Sequence, residues 1–289
     1  MGHVVVGVDG SDGATSSLQW AVGVGDRRGW PVRAVLAWGY LDQHSVGLPT
    51  FNPDYGEPEA KAALAAFVAE AVGEDVGGIE QAVVNDLPAR ALLDQTDGAE
   101  LLIVGARGLG GWRGLLMGSV SQHCLHHSEV PVAVVREDVS TRRTFGRVVV
   151  GVDGSETSAA ALEWAVAEAA SRGAQLEVVH TWQLVVGPSP YVAMDPEPYE
   201  DAARGVMDEV LARVDTSVLG AEVIRTVVPG SARATLIDAA SEADLAVVGA
   251  RGMGGFRGML LGSVSHALAR HAACPVVVIP AAAADRDRD

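Results

Sequence analysis

Lysine is almost missing from this chain. Lys61 is the single lysine among 289 residues, against twenty arginines. A Walker A phosphate loop ends in Gly-Lys-Ser/Thr and needs its lysine to reach the terminal phosphates, so a P-loop NTPase is excluded. Positive charge is scarce altogether: 21 Lys+Arg face 37 Asp+Glu, a formal net charge of -16. With no basic stripe, general binding to nucleic acid or to an anionic membrane is a poor fit. Only two cysteines occur, Cys124 and Cys274. They support neither a disulfide framework nor a zinc set, read as small buried apolar side chains, and fit a reducing compartment. No apolar run approaches the roughly 20 residues that cross a bilayer, and the chain enters Val4-Val5-Val6 without a charged leader. A soluble cytoplasmic protein is expected. Aromatic residues make up only 5%, while 48% of the chain is hydrophobic. A Val-, Ala- and Gly-rich composition suits tightly packed α/β units better than an all-β sandwich.

What the chain has in quantity is glycine, concentrated in a stretch that occurs twice. GARGLGGWRGLLMGSVS occupies residues 105–121 and GARGMGGFRGMLLGSVS residues 249–265. The two copies stand 144 residues apart, as do Asp9 and Asp153, Trp20 and Trp164, Trp38 and Trp182, and Pro131 and Pro275. Solenoid repeats recur every 20–50 residues or so, so this repeat marks a duplicated domain. The domains are placed at residues 1–138 and 147–282, joined by a polar stretch and followed by a polar tail at 283–289.

Each unit reads β-α-β-loop-α-β-α-β-α-β. Apolar strands are expected at 3–8 and 147–152, 32–37 and 175–181, 79–84 and 221–228, 101–104 and 245–248, and 132–135 and 276–279. Leu162, Ala165, Val166 and Ala169 form one helical face, with Ser155 as N-cap. Trp20 and Trp164 read as packing residues. Two Pro- and Gly-rich loops, at 48–58 and 187–198, are long enough to carry function. Near-continuous apolar strands alternating with helices imply parallel sheets covered on both faces. The fold class is therefore α/β: two tandem, doubly wound, parallel five-stranded sheets. Ligands of such sheets sit at the carboxyl ends of the strands, where the strand order reverses.

The glycine stretch follows the fourth strand and leads into a helix. The dinucleotide fingerprint instead follows the first strand, so a dehydrogenase is disfavoured. Strand, glycine loop and helix N-terminus together make an anion site, for phosphate above all. Asp9 and Asp153 read either as helix caps or as site residues. His123, His126 and His127 share a predicted helix; no Cys or carboxylate completes a metal set, so they read as surface or interface residues and no metal site is assigned.

The spacing Gly105-x2-Gly108-x9-Gly118-Ser119, its copy Gly249-x2-Gly252-x9-Gly262-Ser263, the opening Val-Gly-Val-Asp-Gly-Ser and the closing proline-led apolar strand resemble the universal stress proteins. The likeness covers nearly the whole chain twice, as in a tandem, ATP-binding member with the adenine nucleotide alpha hydrolase-like fold. It implies one ATP per domain, with Mg²⁺. Adenine would lie near Ala37 and Val84, or Thr181 and Val228. Gly7 and Gly151 would let a ligand approach the backbone, and Asp9 and Asp153 would sit by the ribose or a phosphate-bound Mg²⁺. Ribose and phosphates would be cradled by Gly105, Ala106, Arg107, Gly108, Leu109, Gly110, Gly111, Gly118, Ser119, Val120 and Ser121. In the second unit Gly249, Ala250, Arg251, Gly252, Met253, Gly254, Gly255, Gly262, Ser263, Val264 and Ser265 would do the same. Asp86 stands where the second unit has Gly230, so the two sites are expected to differ in affinity.

The resemblance further implies a regulator of stress response or growth, with no catalytic residues assigned. It also implies antiparallel pairing of the closing strands into an intrachain pseudo-dimer, and a homodimer of chains. A slow ATPase and an interaction module binding another adenine nucleotide such as cyclic AMP stand as alternatives.

Overall fold

The computed structural model describes residues 2–39, 56–73, 78–109, 116–137, 142–183, 195–253, 261–281 and 283. The chain divides into two compact units, Met1–Arg143 and Thr144–Asp289. Most of the two long loops, together with Gly110, Gly111, Gly254 and Gly255, lies outside the described residues.

Unit 1 runs β1 (His3–Val8), α1 (Asp12–Arg28), β2 (Val32–Ala37), α2 (Glu57–Val72), β3 (Ile79–Val84), α3 (Pro88–Asp94), β4 (Ala99–Gly105), α4 (Ser119–His127) and β5 (Val132–Val135). Its strands pair in the order β3-β2-β1-β4-β5, all parallel. α1 packs with α2 and α3 with α4. The buried strands explain the continuous apolar runs: Val4, Val5 and Val6 of β1 and Leu101, Leu102 and Ile103 of β4 are all fully buried. A strand covered on both faces has no solvent side to mark with polar residues. Local chemistry sets the helix ends. The Ser11 hydroxyl accepts the Ala14 N–H at the start of α1, and Gly29, with φ of 67°, turns the chain out of its end.

Unit 2 repeats the plan: β6 (Arg147–Gly151), α5 (Glu156–Arg172), β7 (Gln175–Trp182), α6 (Glu197–Leu211), β8 (Ile224–Pro229), α7 (Ala232–Ser241), β9 (Leu245–Gly249), α8 (Ser263–His271) and β10 (Val276–Ile279). Its parallel order is β8-β7-β6-β9-β10. Ser155 caps α5, and Leu162, Ala165, Val166 and Ala169 are buried, as expected. Several boundaries differ from the sequence reading, most of them by one residue. β8 starts later than residue 221, because a 3-10 turn at Ser217–Leu219 and Gly220, with φ of 63°, take up the chain first. α6 has Pro198 in its first turn, a position where proline's missing N–H costs nothing.

In both units the order reverses between the first and fourth strands. That reversal brings the loops after β1 and β4, or after β6 and β9, to the same end of the sheet.

Candidate functional site

Each reversal point is closed by one carboxylate. Asp9 follows β1, and its Oδ1 accepts the Ser11 N–H at 3.1 Å and the Ser11 hydroxyl at 2.6 Å. Its Oδ2 accepts the Leu109 N–H, 100 residues away in sequence, at 2.9 Å. Asp153 does the same in unit 2, with Ser155 N at 3.1 Å, Ser155 Oγ at 2.6 Å and Met253 N at 2.8 Å. The helix cap is thus the serine, and the aspartate latches the glycine loop to the first strand. A Cβ on Gly108 would lie 2.2 Å from Asp9 Oδ2, and one on Gly252 2.1 Å from Asp153 Oδ2. The second glycine of the motif is what admits the latch.

Beyond the latch the chain enters α4 or α8. Gly118 and Gly262 are the N-caps, and neither helix has a side-chain cap. The first-turn N–H groups of a helix have no partners within it. In α1 and α5 a serine serves them; in α4 and α8 no N-cap side chain does so among the described residues. Ser119 and Ser263 are exposed, and Val120 and Val264 half-buried, at this end. Ser121 and Ser265 are buried and turned inward. Ser121 Oγ donates to the Gly105 carbonyl at 2.6 Å, and Ser265 Oγ to that of Ala250 at 2.9 Å. Ala106 and Ala250 are buried, while Leu109 and Met253 are exposed.

In unit 2 these groups border a cleft of about 490 Å³, a volume in the range of small-molecule sites. Of the residues expected from sequence, Gly151, Asp153, Thr181, Gly249, Arg251 and Gly252 line it, joined by Gly262, Ser263, Val264 and Ser265. Ala250, Met253 and Val228 do not. Val228 nevertheless sits opposite Thr181 in the β7–β8 register, as Val84 sits opposite Ala37 in β2–β3. Sequence reasoning missed Val152, Ser158, Val179, Ala232, Leu236 and Val248. Ala232 and Leu236 lie one turn apart on α7, a spacing that carries no mark separating a cleft wall from core. Leu236 also explains Gly151: a Cβ there would meet Leu236 Cδ1 at 2.6 Å, and one on Gly7 would meet Leu92 Cδ1 at 2.7 Å. Both glycines give room to a packed leucine side chain.

The lining is apolar on the β7 and α7 side and rich in backbone donors on the glycine side. Arg251 is the one cation and Asp153 the one carboxylate among its described lining residues. Such a cleft matches a ligand with a flat apolar part and an anionic part.

The profile of the universal stress protein family matches the chain twice, over residues 1–136 and 144–280. The chain belongs to the universal stress protein family. A universal stress protein of Mycolicibacterium smegmatis is 32% identical over 288 residues, covering 96% of both chains. One from Mycobacterium tuberculosis is 31% identical over 283 residues, covering 95% of both. Among solved structures, a universal stress protein from Archaeoglobus fulgidus shares the fold, with a TM-score of 0.64 and 23% identity over 96% of both chains. The match to the family over both halves agrees with the tandem repeat read from the 144-residue offset. Among the described residues no helix is long and apolar enough to cross a membrane.

Proposed function

We propose that this chain is an ATP-binding regulator with one nucleotide site per domain, acting in a stress or growth response rather than as a dedicated enzyme. One observation carries the reading: a glycine loop latched by an aspartate leads into a helix end that the protein leaves uncapped, and does so in both domains. The triphosphate would take the first-turn N–H groups of α4 and α8, together with the guanidinium of Arg107 or Arg251. The apolar wall of β7 and α7, or β2 and α3, would receive the adenine.

Among the described residues no cluster of three or more His, Cys, Asp and Glu is placed to hold a metal. Both oxygens of Asp9 already accept protein hydrogens. Mg²⁺ would therefore travel with the nucleotide, held chiefly by its phosphates. The carboxylate in the cleft is committed to holding the loop, which favours retention of ATP over activation of a water molecule. Association through the closing strands and residence in the cytoplasm belong to the same proposal and rest on the family resemblance.

The test is mass spectrometry of nucleotide retained through purification, followed by calorimetric titration of emptied protein with Mg-ATP. ATP recovered with the protein and saturable uptake are expected. Protein that takes up no ATP would defeat the reading, and single-turnover hydrolysis well above background would replace it with an ATPase.

A further inference from the structure

The two units differ in the charge beside the arginine of the glycine loop. Arg107 Nη2 lies 3.1 Å from Glu137 Oε1, with the side chains 41% and 46% exposed. The repeat counterpart of Glu137 is Ala281, and among the described residues no ion pair joins Arg251 to a carboxylate.

Two neighbouring repeat differences act in the same sense. The buried Ser16 hydroxyl donates to the Glu137 carbonyl at 2.7 Å and fixes that backbone, whereas its counterpart is Ala160. At Gly13 a Cβ would lie 2.8 Å from the Arg107 carbonyl and 3.6 Å from Glu137 Cγ. Its counterpart is Thr157, whose hydroxyl donates to the Arg251 carbonyl. In unit 1, then, Ser16 fixes the Glu137 backbone and Gly13 leaves room beside the Arg107–Glu137 pair. Of their counterparts in unit 2, Thr157 holds the arginine's backbone, and Arg251 itself lines the cleft.

We propose that the domains are unequal: the second is the primary phosphate-accepting site, and Glu137 is an internal anion that any phosphate must displace from Arg107 in the first. This rests on the ATP reading above and assigns Glu137 as the residue that sets the difference. An arginine's bidentate match to phosphate is available at once in domain 2. In domain 1 an exposed pair must first be broken, and its carboxylate then repels the incoming polyanion. Together these weaken domain 1 by about three- to tenfold at low salt, less as salt rises.

Calorimetric titration of the full chain with Mg-ATP should resolve two steps separated by that factor. Glu137→Ala should tighten the weak step about three- to tenfold and leave the strong one unchanged. The reciprocal change, Ala281→Glu with Ala160→Ser and Thr157→Gly, should weaken the strong step. Glu137→Ala alters one exposed side chain, so its titration decides the matter even where the triple variant does not fold. Two equal steps in the parent protein, or no tightening in Glu137→Ala, would overturn this inference and leave ATP binding standing. No uptake by the parent at all would overturn both.

Discussion

Replacing Gly118 by aspartate should make domain 1 more stable and unable to hold ATP. Gly118 has φ of -79° and ψ of 163°, an extended conformation open to any residue. A Cβ there would meet only ordinary contacts, at 3.8 Å from the Ala106 carbonyl, Arg107 Cα and Ser121 Oγ. Among the described residues nothing requires glycine at this position. An aspartate N-cap accepts a first-turn N–H and faces the positive end of the helix, at a gain of a few tenths of a kcal/mol over glycine for the cap itself. Loss of glycine's freedom in the unfolded chain adds about 0.4–1 kcal/mol. Their sum is about 1 kcal/mol, equivalent to about 3–5 °C in the melting temperature of a domain this size. The carboxylate would occupy the donors offered to phosphate and repel it. ATP at a hundredfold excess over Kd stabilises a domain that binds it by about 2.7 kcal/mol, and domain 1 should lose that increment. Calorimetric melting with and without Mg-ATP, and a titration in which stoichiometry falls from two to one, provide the assay. A variant that still binds two ATP, or that melts lower than the parent without ligand, would refute the placement of phosphate at this helix end. The equivalent change at Gly262 should stabilise less, since a Cβ there lies 3.2 Å from the Ala250 carbonyl.

Three further outcomes are expected. Asp153→Asn leaves the Met253 N–H without its charged acceptor; because such bonds contribute about 1.5–3 kcal/mol, exchange of the Met253 amide should speed up by about tenfold or more, and unchanged exchange would mean that the latch bears no weight. Burial pushes the Cys124 thiol up to about 12, so a thiol reagent at pH 8 should label it only after unfolding. As pH rises from about 9 towards 12 the unfolded chain ionises first, and native stability should fall across that window; rapid labelling of the native protein would contradict the burial. His126 is held below its usual pKa by burial and by the neighbouring His127 and His123. The unfolded chain therefore takes up the proton first, and stability should drop as pH falls through and below the usual histidine value of about 6.5. His126→Gln should flatten that limb of the melting profile, and an unaltered limb would place the acid sensitivity elsewhere.

Elements governed by short-range chemistry were legible in the sequence. Strands buried on both faces read as valine-rich runs, and Ser155 announced α5 through its position ahead of an apolar face. The duplication made each such reading twice. Contacts that span the fold were not legible in the same way. Asp9 looked equally like a cap and a ligand residue because its partner, the Leu109 N–H, is 100 residues distant. Ser121 and Ser265 were expected in the cradle beside Ser119 and Ser263, and nothing in Gly-Ser-Val-Ser tells the two serines of each pair apart. Helical geometry alone turns the later serine of each pair inward to a loop carbonyl.

The motif's glycines therefore cannot be read as one phosphate cradle. The first glycine is fixed by packing: a Cβ on Gly249 would lie 2.9 Å from Thr157 Oγ1, and one on Gly105 3.1 Å from the Arg107 carbonyl and 3.3 Å from Gly13. Substitution there disturbs how the loop seats on the helix after the first strand, so a loss of binding would not distinguish a damaged loop from a damaged site. The second glycine makes room for the latching carboxylate. The third, most clearly at Gly118, answers to no demand of the described residues around it. At Gly118 the uncapped helix end stands after a latched glycine loop, and it is that combination which points to a ligand. A variant at Gly118 tests that sign without disturbing the fold around it.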